Sequence, residues 1–543
     1  MVDQSGFKVL DVKEIERIAL EEAEQALQHP FQFKGPIKKV AVIGAGPSGL
    51  PSARHLKEAG IDVKVFERGS SVGGVWCYSE LAPLKPKMPT SRISRDIEKQ
   101  ALEVKEEKQK HLFEMTPETM KLLLAKSPPS ACYRDLYNNI ATSMFAYPDF
   151  PFPKGIPEWC SHEVTQQYFE AYADHYHLTE LIEFNTSVDL VTKDQANDCW
   201  ELTLSKYDVY SSGIVRETRW KETFDGVVVA SGRHQDPYVP DFKDFIEWNK
   251  TFPDKTMHSV QYRRPEDYVD KHVLVIGGGV SAVDIVRGLE GFSAMTTMAI
   301  QGPFESPYTV YNIVRSTIPK SVSIKPNVSS FSDKHGNING CITFEDGTMI
   351  DDIDQVIFCT GFSTRLTFLD GLVIDKPDKE AKLPPPRPLY DDIPPSHIAL
   401  GPKHPLNVYR EVFLMSDPTM AFVGLPPIVS TPNHFDVQAM SVARVWTGKA
   451  LLPDTPYMQK FASEFNPGID MKQIFINDRK RKTPFITWLN HHAKHIKTDD
   501  ALPVVEDYPE DYEKLNDEAI NFWIAFSTEN FKRIREQVRA RLL

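Results

Sequence analysis

Two stretches of this chain carry the same punctuation. "KKVAVIGAGPSGLPSARHLKEAGIDVKVFERG" begins at Lys38, and "DKHVLVIGGGVSAVDIVRGLEG" begins at Asp270. Each runs from an apolar strand through a glycine turn into a helix, the pattern of a phosphate-gripping βαβ unit. A chain that builds this unit twice is confined to an α/β architecture with parallel sheets. At 543 residues it is also too long for one ordinary core, so two or three domains are expected.

The first turn spells Gly44-Ala45-Gly46-Pro47-Ser48-Gly49. Gly44 permits the tight turn, Gly46 lets a pyrophosphate approach the backbone, and Gly49 lets helix and strand pack closely. The helix N-terminus offers free N–H groups and partial positive charge to the phosphates. The following strand, "DVKVFER", ends in Glu67 and Arg68 at about the 20-residue distance the pattern requires. Glu67 accepts hydrogen bonds from a ribose diol and repels a 2′-phosphate, so this site favours FAD or NAD. A further close approach is expected at Gly74-Val75-Trp76, with Trp76 packing along a flavin or its ribityl chain, which points to FAD.

The second turn places Gly277, Gly278 and Gly279 between strand and helix, with Ala282 in the third glycine position. Ser281 is positioned to bond a phosphate oxygen, and Asp284 to orient the loop. The next strand ends at Gln301-Gly302, without an acid to repel a 2′-phosphate and without an arginine to hold one. The missing cation has to come from Arg233, Arg263, Arg264 or Arg315. The stretches "VVVASG" (Ala230-Ser231-Gly232) and "VIFCTG" (Cys359-Thr360-Gly361) each end a strand in small residues and flank the second unit. They suit the two crossings between a large domain and an inserted small one. A chain holding two dinucleotides can pass reducing equivalents from a nicotinamide to a flavin.

The expected fold is therefore two Rossmann-like dinucleotide-binding domains, the smaller NADP domain inserted in the larger FAD domain. The boundaries are expected at 1–37 (an N-terminal helical extension), 38–232 (first part of the FAD domain), 233–352 (NADP domain) and 353–543 (second part, with a C-terminal helical extension). Val9–Gln28 has helical spacing and is expected to pack on the outside. Asp96–Lys126 is charged and helix-prone, an excursion of about 30 residues. Ser187–Val229 alternates as a β-meander, Asp346-Gly347 marks a hairpin, and "KLPPPRPLYDDIPP" is a proline-rich loop.

The formal charge of −13 argues against nucleic acid. No apolar run is long enough to cross a bilayer, and the acidic N-terminus lacks the regions of a secretory leader, so a cytoplasmic location is the default. The six cysteines include no C-x-x-C pair, which excludes a dithiol redox centre and leaves no zinc ribbon or other metal centre to expect.

With these motifs together the chain resembles the flavin-containing monooxygenases, class B flavoprotein monooxygenases. Phe252, His258 and Tyr262 match the family fingerprint in "FPDKTMHSVQY", with Asp254 in place of its glycine. Tyr262 resembles the heteroatom-oxygenating branch, where Baeyer–Villiger enzymes carry tryptophan. "VYREVFLMSDPTMAFVGLP" and the Gln438-Ala439 pair also resemble family segments, and the likeness runs from about Lys38 to about Gly448. In "YRDLYNNIATSMFAYPDFPFP", Tyr133, Leu136 and Asp149–Pro153 set the register. Asn139 then falls on the family's active-site asparagine, and Asn138 replaces a threonine beside the cofactor.

The resemblance implies an enzyme with FAD and NADPH as cofactors and O2 as co-substrate. It would insert one oxygen atom into a soft nitrogen or sulfur nucleophile through a C4a-hydroperoxyflavin. Baeyer–Villiger oxygenation of ketones, an uncoupled NADPH oxidase and an FAD-binding scaffold are the alternatives. The implied partner is a small nucleophilic molecule. Mammalian members end in an apolar anchor, whereas this chain ends "RIREQVRARLL", so no membrane anchor is expected. A homo-oligomer is compatible with all of this. His258 is read as structural rather than as a general base.

Overall fold

The computed structural model describes residues 11–90, 108–306, 309–364, 366–369, 372–374, 398–400, 405–406, 408–425, 432–464, 474–498, 502–507 and 512–542. The start of the expected N-terminal helix (Val9 and Leu10), residues 96–107 and the proline-rich loop lie outside the described residues.

Each glycine turn grows from a buried strand in its own parallel sheet. The first sheet has seven strands in the order 408–409, 413–414, 420–422, 226–229, 39–43, 62–66 and 182–183. Its last five are parallel, and a short hairpin (Val408–Tyr409 with Phe413–Leu414) closes one edge. The second sheet has five parallel strands in the order 256–258, 355–358, 272–276, 295–300 and 323–326. Strand Lys39–Ile43 and strand His272–Ile276 are central because both faces are apolar, as a doubly covered parallel strand requires.

Two boundaries differ from expectation. Strand Gln355–Phe358 pairs with His272–Ile276, so it belongs to the second sheet and the return crossing falls at Cys359–Gly361, where the small residues placed it, rather than at the boundary drawn after residue 352. Strand Gly226–Val229 does not join the meander. All four residues are buried, and the strand slots between Lys39–Ile43 and Met420–Phe422. The remaining meander strands, 186–194, 199–209 and 214–224, form an antiparallel sheet. Its fourth strand is Gln109–Glu114, inside the segment expected to be helical. Exposure alternates along this strand, and pairing along its full length with 214–219 overrides the local helical tendency. The helix resumes at Pro117–Lys126, capped by Thr116.

The N-terminal helix spans Val12–Gln28 and is no outer appendage. Asp11 caps it, accepting from the Glu14 N–H at 2.8 Å. Ile15, Ala19, Ala23 and Ala26 are buried at helical spacing, and the helix packs against Ile474–His495. Between these apolar residues sits Glu22, fully buried and gripped at two points by Arg410, with one bond of 2.9 Å from Nε. Arg410 and its neighbour Glu411 both adopt left-handed backbone angles in the edge hairpin, at φ 52° and 59°. Such angles are unusual outside glycine and asparagine. They aim Arg410 at Glu22 and Glu411 at Arg481. Among the described residues, no helix is long and apolar enough to cross a membrane.

Candidate active site

At the first turn the chain folds back on itself too closely for side chains. Gly44 has φ +104°, and a Cβ there would lie 2.7 Å from the Ala230 carbonyl oxygen. A Cβ on Gly49 would lie 1.8 Å from the Gly44 oxygen. Gly46 and Gly74 back onto each other, since a Cβ on Gly74 would sit 3.0 Å from the Gly46 Cα. The turn is further pinned by Ser48, whose hydroxyl donates to the Ala230 carbonyl at 3.3 Å, and by the Pro47 carbonyl, which accepts from the Tyr147 hydroxyl at 2.6 Å. The Glu67 carboxylate accepts from the Ala45 and Gly69 N–H groups, both at 2.7 Å, so it is held at the turn with lone pairs to spare. Arg68 donates to the Gln235 side chain. The Val75 carbonyl accepts from Ser130, and Trp76 packs edge-on against Phe145 at 5.6 Å.

A polar atom without a partner marks where a ligand belongs here. Gln438 is fully buried, and its oxygen accepts from the Gly424 N–H at 3.0 Å. Its Nε2 is buried without a hydrogen bond among the described residues. Gly424 in turn presses on Ser48, where a Cβ would come within 2.9 Å of the serine side chain. A side-chain-free cradle and an amide donor left over thus converge on the first turn, and both fit a dinucleotide such as FAD.

The second turn repeats the frame. Gly277 has φ +135°, and a Cβ there would lie 2.3 Å from the Cys359 carbonyl oxygen. Gly278 faces Arg315, whose NH2 would be 2.6 Å from a Cβ, while Gly279 is roomy, with Tyr311 at 4.0 Å. The helix Val280–Leu289 follows, with Ala282 buried against the strand. A cavity of about 780 Å³ opens in front of this turn, a size suited to a dinucleotide. Gly277, Gly279 and the exposed Ser281 line it, together with Gly361, Arg233 and Arg315.

Of the four arginines raised by the sequence, the structure separates two from the cavity. Arg263 is buried and donates to backbone carbonyls at Leu81, Ser130, Cys132, Val260 and Tyr262. Arg264 is paired on the surface with Asp267 and Glu80. Arg315 closes the helix Thr309–Arg315 and donates to the carbonyls of Gly278 at 3.0 Å, Pro303 at 3.2 Å and Phe304 at 2.6 Å. It fills the place left by Gln301, which stands exposed at the strand end. No spacing rule finds Arg315, because it arrives from the helix beyond the strand.

Two expected roles meet different surroundings. Asp284 does not face the glycine loop. It accepts from the Tyr133 hydroxyl at 2.6 Å and pairs with Arg287, tying the helix to the segment that carries Asn138 and Asn139. Asn138 is buried in that segment, with Nδ2 donating to the Ile140 and Glu158 carbonyls and Oδ1 accepting from the Cys160 N–H. Both donors are engaged, so it organises the loop and offers a cofactor no N–H. Asn139, next to it, is exposed and has no side-chain partner among the described residues.

His258 is fully buried. Its Nε2 donates to the Gly361 carbonyl at 3.0 Å, and its Nδ1 accepts from the Val260 N–H at 3.1 Å. Burial pulls it down to about 4, so the ring is neutral and locks the return crossing. All six cysteines are free, and burial pushes the Cys77 thiol up to about 11, which leaves it a poor nucleophile at neutral pH.

With this geometry in place, the chain can be compared with known proteins. A family model described as flavin-binding monooxygenase-like matches residues 125–301 and 310–508, and an NAD(P)-binding Rossmann-like domain matches residues 42–87. The match runs some sixty residues beyond Gly448, where the sequence likeness was expected to stop. Flavin-containing monooxygenase ustF2 of Aspergillus flavus is 27% identical, covering 83% of this chain and 92% of its own. Senecionine N-oxygenase of Tyria jacobaeae is 27% identical, covering 86% and 83%. Among solved structures, S-allyl-L-cysteine S-oxygenase from Allium sativum superposes with a TM-score of 0.59 at 21% identity, covering 91% of this chain and 99% of that one.

Proposed function

We propose the reaction below on one premise: this chain belongs to the flavin-binding monooxygenase-like family, whose model matches most of its length. It is an FAD-dependent monooxygenase that draws on NADPH. The finer reading is oxygenation of a soft nitrogen or sulfur nucleophile. One oxygen atom of O2 adds to the nucleophile's lone pair and the other leaves as water, with two electrons from NADPH and a proton from solvent. When bound, FAD supplies the redox chemistry that accepts those electrons and activates the oxygen.

The protein's own share is placement and dryness. Gly44, Gly46, Gly49 and Gly74 admit the FAD pyrophosphate to the backbone, Glu67 takes the ribose diol, and Gln438 Nε2 supplies a buried donor. Gly277, Gly279 and Ser281 receive the NADPH pyrophosphate, and Arg315 answers its 2′-phosphate. Asn139 brings an amide that donates through Nδ2 and accepts through Oδ1 at the flavin edge, as its family position implies. His258 holds the crossing and moves no proton, since both ring nitrogens are engaged with backbone. The NADP unit is taken as 233–358, between the two crossings.

One observation carries this reading. The lining of the cavity at the second turn includes Leu425, which follows the strand Met420–Phe422 of the first sheet. The space in front of the second turn thus reaches a residue beside the first sheet, which supports a nicotinamide held near a flavin. N- and S-oxygenase activities named for relatives agree with the nucleophile class.

Rapid mixing of NADPH-reduced protein with O2 tests it. The expected result is slow return of the oxidised flavin spectrum, accelerated by an added tertiary amine or thioether, with one oxygenated product per NADPH. Hydrogen peroxide in full yield, with no oxygenated product from any of these nucleophiles, would overturn it.

A further inference from the structure

We infer that Glu24, His491 and His495 form a zinc site, with two imidazole nitrogens and one carboxylate oxygen stapling the N-terminal helix to the helix Ile474–His495. The site stands apart from the oxygenation proposed above, since none of the three residues lines the dinucleotide cavity.

The cluster follows from how the two helices meet. Ala19, Ala23 and Ala26 are buried along one face of Val12–Gln28, and side chains this small let it lie close on its neighbour. On that neighbour Trp488, Leu489 and His492 are buried. His491 and His495 stand beside this strip, four residues apart on the helix and so one above the other. Their rings stack at 4.2 Å with 29° between the planes. Glu24, the residue after Ala23, reaches them from the N-terminal helix, its Oε1 2.8 Å from His491 Nε2. One ligand atom from each of the three lies within 4.8 Å of the other two. Among the described residues this is the one group of three such side chains so placed. Cysteine spacing could not announce it, because its ligands are histidines and an acid from opposite ends of the chain.

Two details point to a metal ion rather than to an ion pair. The side chain of His491 is 13% exposed and its Nε2 is buried, yet that nitrogen makes no hydrogen bond although the Glu24 oxygen is 2.8 Å away. Buried polar atoms are seldom left so. The oxygen stands off the direction in which a ring N–H points. A metal ion on the nitrogen's lone-pair axis can take the oxygen from the side. The second detail is at His495, whose Nδ1 lies 2.8 Å from the His491 carbonyl. A carbonyl only accepts, so Nδ1 carries the proton and Nε2 of the neutral ring keeps its lone pair. Metal-bound histidines are oriented by a bond of this kind at their second nitrogen.

Two imidazoles and a carboxylate, with a fourth position for water, are a donor set that zinc takes in tetrahedral form. Magnesium and calcium prefer oxygen throughout. Zinc bonds of about 2.0–2.2 Å put the ligand atoms about 3.4 Å apart, between the closest and the widest spacing here. Glu24 is half exposed and His495 is exposed, which gives both the room to adjust.

The test uses the full FAD-loaded chain, cleared of metal with a chelator, and zinc chloride as the probe. Calorimetry should show one zinc ion per chain at micromolar affinity or tighter, and no binding of magnesium chloride. X-ray absorption at the zinc edge should find two imidazole nitrogens and no sulfur. Glu24→Gln and His495→Ala, both at exposed positions, should each weaken binding by on the order of tenfold or more. Zinc should slow hydrogen exchange across Val12–Gln28 in wild type and not in these variants. Flavin content and NADPH oxidation should stay as in wild type, so the site stands or falls separately from the oxygenation reading. Absence of saturable zinc binding by wild type overturns the inference. So does wild-type affinity in both variants, or sulfur at the zinc, because the ion then sits on a free thiol. Bound zinc that leaves exchange in the N-terminal helix unchanged overturns the staple. The edge spectrum of wild type decides even where a variant loses its flavin.

Discussion

The two glycine turns share a backbone frame and differ in charge. In both, the first glycine is forced by a carbonyl standing behind it, Ala230 at the first turn and Cys359 at the second. Both carbonyls belong to the crossings that link the two sheets. The turns part company at the ribose end. The first ends in Glu67, hydrogen-bonded to Ala45 and Gly69, while the second has exposed Gln301 and borrows Arg315 from a following helix. An acid suits a bare diol and a cation suits a 2′-phosphate. The frame is thus generic to dinucleotides, and the proposed reading puts selection between them in one residue at each site.

The sharpest break is Gly49→Ala. Its Cβ would overlap the Gly44 carbonyl at 1.8 Å, so the variant should fail to yield soluble, yellow protein, whereas Gly279→Ala, with 4.0 Å to Tyr311, should fold and bind FAD normally. Flavin absorbance of the purified variants checks this. Gly46→Ala separates cradle from fold, because its Cβ meets Gly74 at a tolerable 3.4 Å but occupies the pyrophosphate's approach. It should give folded protein without flavin.

Next in size is Glu22→Ala, which strands buried Arg410 beneath the first sheet's edge and should cost about 3–5 kcal/mol, read by denaturant unfolding. An unchanged midpoint would show that the N-terminal helix contributes no anchorage.

A pH effect of about 3 kcal/mol per ring follows from His258 and His492, both pulled by burial from 6.5 to about 4. Below pH 6.5 the unfolded rings take up protons that the folded ones refuse. Stability from this source is therefore complete above pH 6.5 and is lost as pH falls toward 4. His258→Gln should flatten that slope in thermal melts.

The smallest effect sharpens the contrast in charge. Arg315→Gln should raise the KM for NADPH by about tenfold more than that for NADH. An unchanged ratio would remove Arg315 from the 2′-phosphate.

What the sequence made legible was local. Strand, glycine turn and helix are adjacent in the chain, so spacing alone located both cradles, and the small residues at Ala230 and Cys359 located both crossings. What it concealed came from pairings between distant residues. Gln109–Glu114 looked helical because its neighbours are charged, yet an open edge at 214–219 recruits it as a strand. The Glu22–Arg410 and Glu411–Arg481 pairs bring together residues that no periodicity connects, and Arg315, one of four arginines the sequence offered, is singled out only by its contact with Gly278. Asn138 and Asp284 carried the right residue types for a cofactor site, but their hydrogen bonds go to the protein.

The placement of the crossings has a mechanical corollary. After each crossing the chain runs into a two-residue strand, and these two, Asp236–Pro237 and Phe362–Ser363, pair as a narrow ribbon. Any swivel of one sheet relative to the other would have to twist this ribbon together with the two crossings beside it. Such a joint would let the two sheets turn on each other while each glycine turn keeps the carbonyl that stands behind it, Ala230 or Cys359.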